Sequence, residues 1–185
     1  MGSEQSTRRQ SGFTLVELLI VAIILAILAA IIIPQFASTT TDAQESALRA
    51  NVSAMRAAMD LYRQQHGEYP GALDAVGGTC TGGVSGTGAA LSELAILNQL
   101  TRYSDADGQT CTVPIAAFPY GPYLQVEALP DNSITGLSTL VIQNTGDLTM
   151  GPDAGANGWK FDALSGKLIV NITGNDSQGV PFSSY

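Results

Sequence analysis

The stretch Phe13 to Ile33, FTLVELLIVAIILAILAAIII, decides how the rest of the chain is read. Its 21 residues carry a single charge, Glu17. At 1.5 Å of rise per residue such a helix is about 31 Å long, the thickness of a bilayer's hydrocarbon core. Arg8 and Arg9 stand before it and the next cation is Arg49, so the positive-inside bias keeps the N-terminus in the cytoplasm and exports the remainder. A cleavable secretory signal fits poorly, because its apolar core runs to about 7–15 residues and ends at a small-residue cleavage site. This run is longer and leads into Pro34-Gln35-Phe36. A twin-arginine signal fits no better, since Thr7-Arg8-Arg9-Gln10 is followed by Ser11-Gly12 rather than an apolar pair. A plain membrane anchor explains length and orientation and leaves Glu17 unexplained. A carboxylate inside a spanning segment costs roughly 2.5–3.5 kcal/mol and usually has a partner and a role, although snorkelling to the interface is the bland alternative.

Gly12-Phe13-Thr14-Leu15-Val16-Glu17, followed by an unbroken apolar run and Pro34, resembles the N-terminal motif of type IV pilins and type II secretion pseudopilins. The resemblance implies that a prepilin peptidase cuts after Gly12 and that the new N-terminal Phe13 is methylated. Residues 1–12 are then a leader peptide. It further implies that Glu17 meets the N-terminal ammonium of a neighbouring subunit and sets the axial register of a filament. Electrostatics favours such a pair, because a cation created at Phe13 and the Glu17 carboxylate satisfy each other in a low-dielectric setting. Pro34 falls where the family's helix bends or loosens in the filament.

Beyond Pro34 the pattern turns amphipathic. Leu48, Val52, Met55, Met59 and Tyr62 recur at helical spacing, with Ala47, Ala50, Ala54 and Ala58 alongside, and this face is expected to pack on a globular head. Glu45–Arg49 and Arg56–Asp60 stand as opposite charges at i,i+4 on the other side, and His66-Gly67 with Pro70 beyond reads as a helix stop. Ser38-Thr39-Thr40-Thr41 are weak helix formers and Asp42-x-x-Glu45 resembles a capping box, so the sequence alone permits a break there. The resemblance favours one helix from about Phe13 to His66, bent at Pro34. The expected organisation is therefore a leader (1–12), a transmembrane and filament-core half-helix (13–34), an amphipathic half-helix (35–66) and a head (67–185).

In the head, the glycines between Val76 and Gly88 indicate a surface loop, and the leucines at 91, 94, 97 and 100 mark a short helix within Ala89–Tyr103. Strands are expected near Tyr123–Ala128, Ser138–Asn144, Gly158–Asp162 and Lys167–Ile172, the last two forming a hairpin about Ala163-Leu164-Ser165-Gly166. The class is α+β. By resemblance, the hydrophobic half of the long helix protrudes and the rest packs on an antiparallel sheet.

Cys80 and Cys111 are the only cysteines, both on the exported side, where a disulfide persists; they are expected to pair. Asp105-Ala106-Asp107-Gly108 resembles the opening of a calcium loop, but position 116, where a bidentate ligand belongs, is Ala. Asp105 and Asp107 are thus a weak calcium candidate beside the default of a solvated turn, and no other metal or cofactor is expected. Catalysis finds little support: His66 is the only histidine, there is no G-x-S-x-G, and the acidic residues are scattered.

With 8 basic and 16 acidic side chains the net charge is −8, which disfavours a general nucleic-acid binder. Loss of the leader leaves six cations against fifteen anions. The expectation is a non-enzymatic structural subunit, held in the inner membrane as a single-pass precursor and then polymerised with itself through its N-terminal helix into a type IV pilus-like filament for adhesion or motility. Its other partners would be the prepilin peptidase, the membrane and the inner-membrane assembly machinery. The alternatives are a periplasmic pseudopilus subunit and a minor, membrane-anchored binding module.

Overall fold

A computed structural model describes residues 13–153, 155 and 157–185. Helix α1 runs Leu15–His66 without a break. Two units divide the chain, one reaching to Thr41 and the other spanning Asp42–Tyr185.

In the first unit the permitted break at Ser38–Thr41 does not occur. Thr39 and Thr40 turn their hydroxyls back to donate to the carbonyls of Gln35 and Phe36, both at 2.9 Å, which keeps these poor helix formers inside the helix. The capping-box reading of Asp42 and Glu45 fails with it.

In the second unit, the far half of α1 lays Leu48, Val52, Met55, Met59 and Tyr62 against Trp159, Phe161, Leu168 and Val170, all of them buried. Ala58 joins this face, whereas Ala47, Ala50 and Ala54 are exposed. The heptad spacing of large residues therefore marks the buried stripe, and the alanines beside it mostly do not share it. The helix stops at His66 and Gly67 follows at φ +82°, in the left-handed region that a glycine adopts without strain.

Helix α2, Glu93–Thr101, begins at Ser92, whose hydroxyl accepts from the Ala95 N–H at 3.1 Å. Its Gln99 is fully buried and ties three segments together, accepting from Gly71 N–H and donating to the carbonyls of Leu73 and Gly108. A two-residue hairpin follows, β1 (Tyr103–Ser104) antiparallel to β2 (Thr110–Cys111). The main sheet holds β3 (Leu140–Gln143), β4 (Trp159–Asp162) and β5 (Leu168–Val170) in that order.

The architecture is α+β, as expected, with two corrections. β4 and β5 form the anticipated antiparallel hairpin, but β3 runs parallel to β4, with Leu140 opposite Trp159 and Gln143 opposite Asp162, so the sheet is mixed. The strand expected at Tyr123–Ala128 is absent. The N–H groups of Tyr123 and Leu124 both donate to the Leu100 carbonyl at the end of α2, which leaves them unavailable to a ladder.

Candidate functional site

The features that bear on function lie along α1 and are taken from its N-terminus onward. Thr14 and Glu17 form a capping box. The Glu17 carboxylate accepts from the Thr14 N–H and hydroxyl, both at 2.9 Å, and the Thr14 hydroxyl accepts from the Glu17 N–H at 3.3 Å. The T-x-x-E spacing at Thr14–Glu17 is the sequence signal of this cap, and it gives Glu17 a local role besides the one its place in the apolar run suggests. Both accepted bonds fall on the same oxygen, Oε2.

From Leu15 to Ile33 the helix is apolar enough to cross a membrane, with a mean hydropathy of 3.3 and none of it buried among the described residues. Phe13 is 76% exposed and Ile33 67%. α1 continues through Pro34, which has no N–H to give the Ala30 carbonyl. Gly12 and the residues before it, the expected leader, lie outside the described residues.

On the far half of α1 neither anticipated i,i+4 pair closes as a direct salt bridge among the described residues, although Asp60 still acts on Arg56 through its charge, and longer-range bonds are added. Glu45 is buried and accepts from the N–H and hydroxyl of Ser177, each at 2.8 Å. Arg49 pairs with Asp176 at 2.6 Å, donates to the Tyr185 hydroxyl at 2.8 Å and lies over the Tyr185 ring. Arg56 donates to the carbonyls of Leu168 and Tyr185. The segment around residues 174–185 is thus strapped along the helix, and it supplies partners that a helix-only reading cannot anticipate. Asp176 itself closes the turn by accepting from Gln178 and Val180 N–H. The Tyr185 hydroxyl, together with these backbone donors and Arg49, holds its carboxyl below the usual range against the opposing effect of burial.

At the end of α1, His66 stacks on Tyr62 with ring centroids 3.9 Å apart, contacts the Tyr62 carbonyl through Nδ1 and the Ser104 hydroxyl through Nε2 at 3.1 Å. Ser104 is fully buried, so the contact fastens the helix end to β1 and gives the hydroxyl no access to a substrate. Asp105 uses Oδ1 to accept from the N–H groups of Asp107 and Gln109, as an aspartate does in closing a turn. Among the described residues no three His, Cys, Asp or Glu side chains converge as a metal site.

Cys80 and Cys111 form a disulfide with Cα atoms 5.4 Å apart. It fastens the glycine-rich loop to β2. Gly86 lies so close to the same strand that a Cβ there would sit 1.9 Å from the Thr110 hydroxyl.

Comparison with known proteins bears on the N-terminal part of this arrangement. Residues 7–33 match the family described as the prokaryotic N-terminal methylation motif. The type II secretion system core protein G of Pseudomonas aeruginosa is 41% identical over 63 residues, which is 34% of this chain and 44% of that protein. The protein of the same name from Aeromonas hydrophila is 36% identical over 63 residues, again 34% and 44%. A fimbrial protein of Neisseria meningitidis serogroup B is 42% identical over 62 residues, 34% of this chain and 36% of that protein. The chain therefore spans less than half the length of these curated relatives. No solved structure matches. The chain, then, carries a prepilin-type methylation motif at residues 7–33 and over about a third of its length is similar to pilin and pseudopilin subunits.

Proposed function

We propose that the chain is a structural, non-catalytic subunit of a type IV pilus-like filament. Its precursor spans the inner membrane once with a cytoplasmic N-terminus, is cut after Gly12 by a prepilin peptidase and methylated at Phe13, and polymerises with itself through α1. The observation that carries this reading is the uncovered helix Leu15–Ile33, whose one charge, Glu17, follows the Gly12-Phe13 motif. An apolar surface of that size needs lipid before assembly and other helices after it. Within the helix the capping box leaves Oε1 of Glu17 with no hydrogen bond among the described residues, available to an ammonium arriving from a neighbour.

The primary reading is a surface pilus serving adhesion or motility, supported by the likeness to a fimbrial protein. The repeated likeness to type II secretion core proteins supports a second, a periplasmic pseudopilus. Electron microscopy of sheared cells at native expression, with mass spectrometry of the main subunit, separates the two. Filaments outside the cell built from a chain beginning at methylated Phe13 favour the pilus, whereas their absence together with a block in protein export favours the pseudopilus. In either case Glu17→Ala is expected to leave cleavage intact and abolish assembly, and normal filaments from that variant would overturn the filament reading.

A further inference from the structure

We propose that a groove on α1 between Arg49 and Arg56 receives the Asp105–Asp107 turn of a neighbouring copy of this chain. The proposal rests on the filament reading above and assigns one of its subunit contacts.

The groove has a volume of about 390 Å³, and Arg49, Ser53, Arg56, Asp60 and Tyr185 are among the residues that line it. The two arginines are seven residues apart, so they share a helix face at a separation of roughly 10 Å along the axis. Arg63 continues the row one heptad further, its guanidinium over the Tyr69 ring. Downstream of Phe13 there are only six cations, and three of them stand in this row. Among the described residues, Arg49 and Arg56 make their hydrogen bonds through Nη2 alone, which leaves Nε and Nη1 of each to a further acceptor. Asp176 is fully buried beneath Arg49, whose own side chain is 49% exposed, so at that end the guanidinium faces outward. Asp60 also lines the groove and partly offsets the charge of Arg56, which leaves the Arg49 end the more open to an incoming carboxylate.

The occupant follows from charge. The chain is acidic, and Asp105 and Asp107 are its most closely spaced pair of carboxylates. Asp107 is exposed and its carboxylate makes no hydrogen bond among the described residues. The adjacent Gly108 lies beside Tyr62, since a Cβ there would be 2.9 Å from the Tyr62 hydroxyl. Donor groove and acidic turn are therefore displaced by roughly 10–20 Å along α1, taking 1.5 Å per residue from Arg56 or Arg49 to Tyr62. Complementary patches displaced in this way give a heterologous contact that propagates from copy to copy, as an open filament requires. Guanidinium and carboxylate also form the charge-assisted pair with the strongest directional preference.

Ser53 and Asp107 allow a test that spares the folded chain, because neither side chain makes a hydrogen bond among the described residues. Ser53→Glu and Asp107→Arg each place like charges opposite one another, and each is expected to lower the yield of sheared filaments roughly tenfold. The double variant restores an opposite-charge pair and is expected to recover most of that yield. Ser53→Cys combined with Asp107→Cys should give a ladder of oxidised multimers within filaments, while either cysteine alone should not. Wild-type yields from both single variants, loss without recovery in the double, or no ladder from the cysteine pair would each overturn this contact and leave the filament reading standing. Failure of the wild-type chain to enter any filament would overturn both.

Discussion

Asp162 is fully buried and remains ionised, because the residues around it are organised as donors. Burial alone would raise its pKa, but the backbone N–H of Ser165, the hydroxyl and N–H of Thr145 and the amide of Gln143 outweigh that and hold the carboxyl far below its usual range. The N–H groups of Gly146 and Leu164 also donate to it. One side chain thereby closes both the exit from β3 and the hairpin turn after β4. Asp162→Asn is expected to destabilise the chain by about 3 kcal/mol at neutral pH, the scale for disrupting a buried, charge-assisted network. Since the folded pKa is depressed, the carboxylate's contribution is fully present above its unfolded value of about 4 and is lost as pH falls below it. Thermal unfolding of the detergent-solubilised protein should therefore show the variant's deficit shrinking below pH 4. Tyr62 presents the opposite case. Its buried hydroxyl has no hydrogen-bond partner among the described residues, and burial pushes its pKa up. Tyr62→Phe removes an unsatisfied group while keeping the ring stacked on His66, so the melting temperature is expected to hold or rise.

At the scale of elements, the sequence revealed whatever is written in local periodicity. The buried stripe of α1 is a 4-3-4-3 series, and the β4–β5 hairpin is alternation on either side of a turn closed by Gly166, whose left-handed φ of +76° and contact with the Tyr69 ring leave no room for a Cβ. The parallel partnership of β3 with β4 has no such trace, because the residues that pair are nineteen apart and nothing in either strand names its neighbour. Tyr123–Ala128 failed for a related reason: its alternation suits a strand, but its first donors are spent on the end of α2. The strap on Glu45, Arg49 and Arg56 was hidden as well, since i,i+4 rules pair these residues with their own helix, and partners more than 100 residues away lie beyond any window. The N-terminal motif was readable because processing and membrane insertion act on contiguous residues. Two element-level expectations follow. Ser92→Ala should cost about 1 kcal/mol through loss of the α2 cap. Replacing Cys80 and Cys111 by serine should lower stability by about 3 kcal/mol, read as a fall in melting temperature, with the region around Gly86 first to gain hydrogen exchange.

For the whole molecule, two surfaces of opposite kind share α1. Leu15–Ile33 is uncovered and apolar, while the face from Leu48 to Tyr62 is completed by the chain's own distant residues. If the chain assembles into the proposed filament, the strength of that filament has two components that respond differently to solution conditions. Apolar helix packing resists salt, whereas a contact built on Arg49 and Arg56 weakens as ionic strength screens it. Sheared filaments raised from 0.05 to 0.5 M salt are expected to become more flexible or fragment without releasing monomers, and detergent is expected to release monomers. Electron microscopy and sedimentation distinguish these outcomes.

The strap that fixes Ser177 to Glu45 and Asp176 to Arg49 also imposes an order of events. These bonds close across 132 and 127 residues of sequence. Any machinery that delivers the chain from its N-terminus onward must therefore present α1 long before its clasp arrives, with the Leu48–Tyr62 stripe bare in the interval. Until residues 174–185 arrive, that stripe is an exposed apolar surface with the aggregation risk any such patch carries.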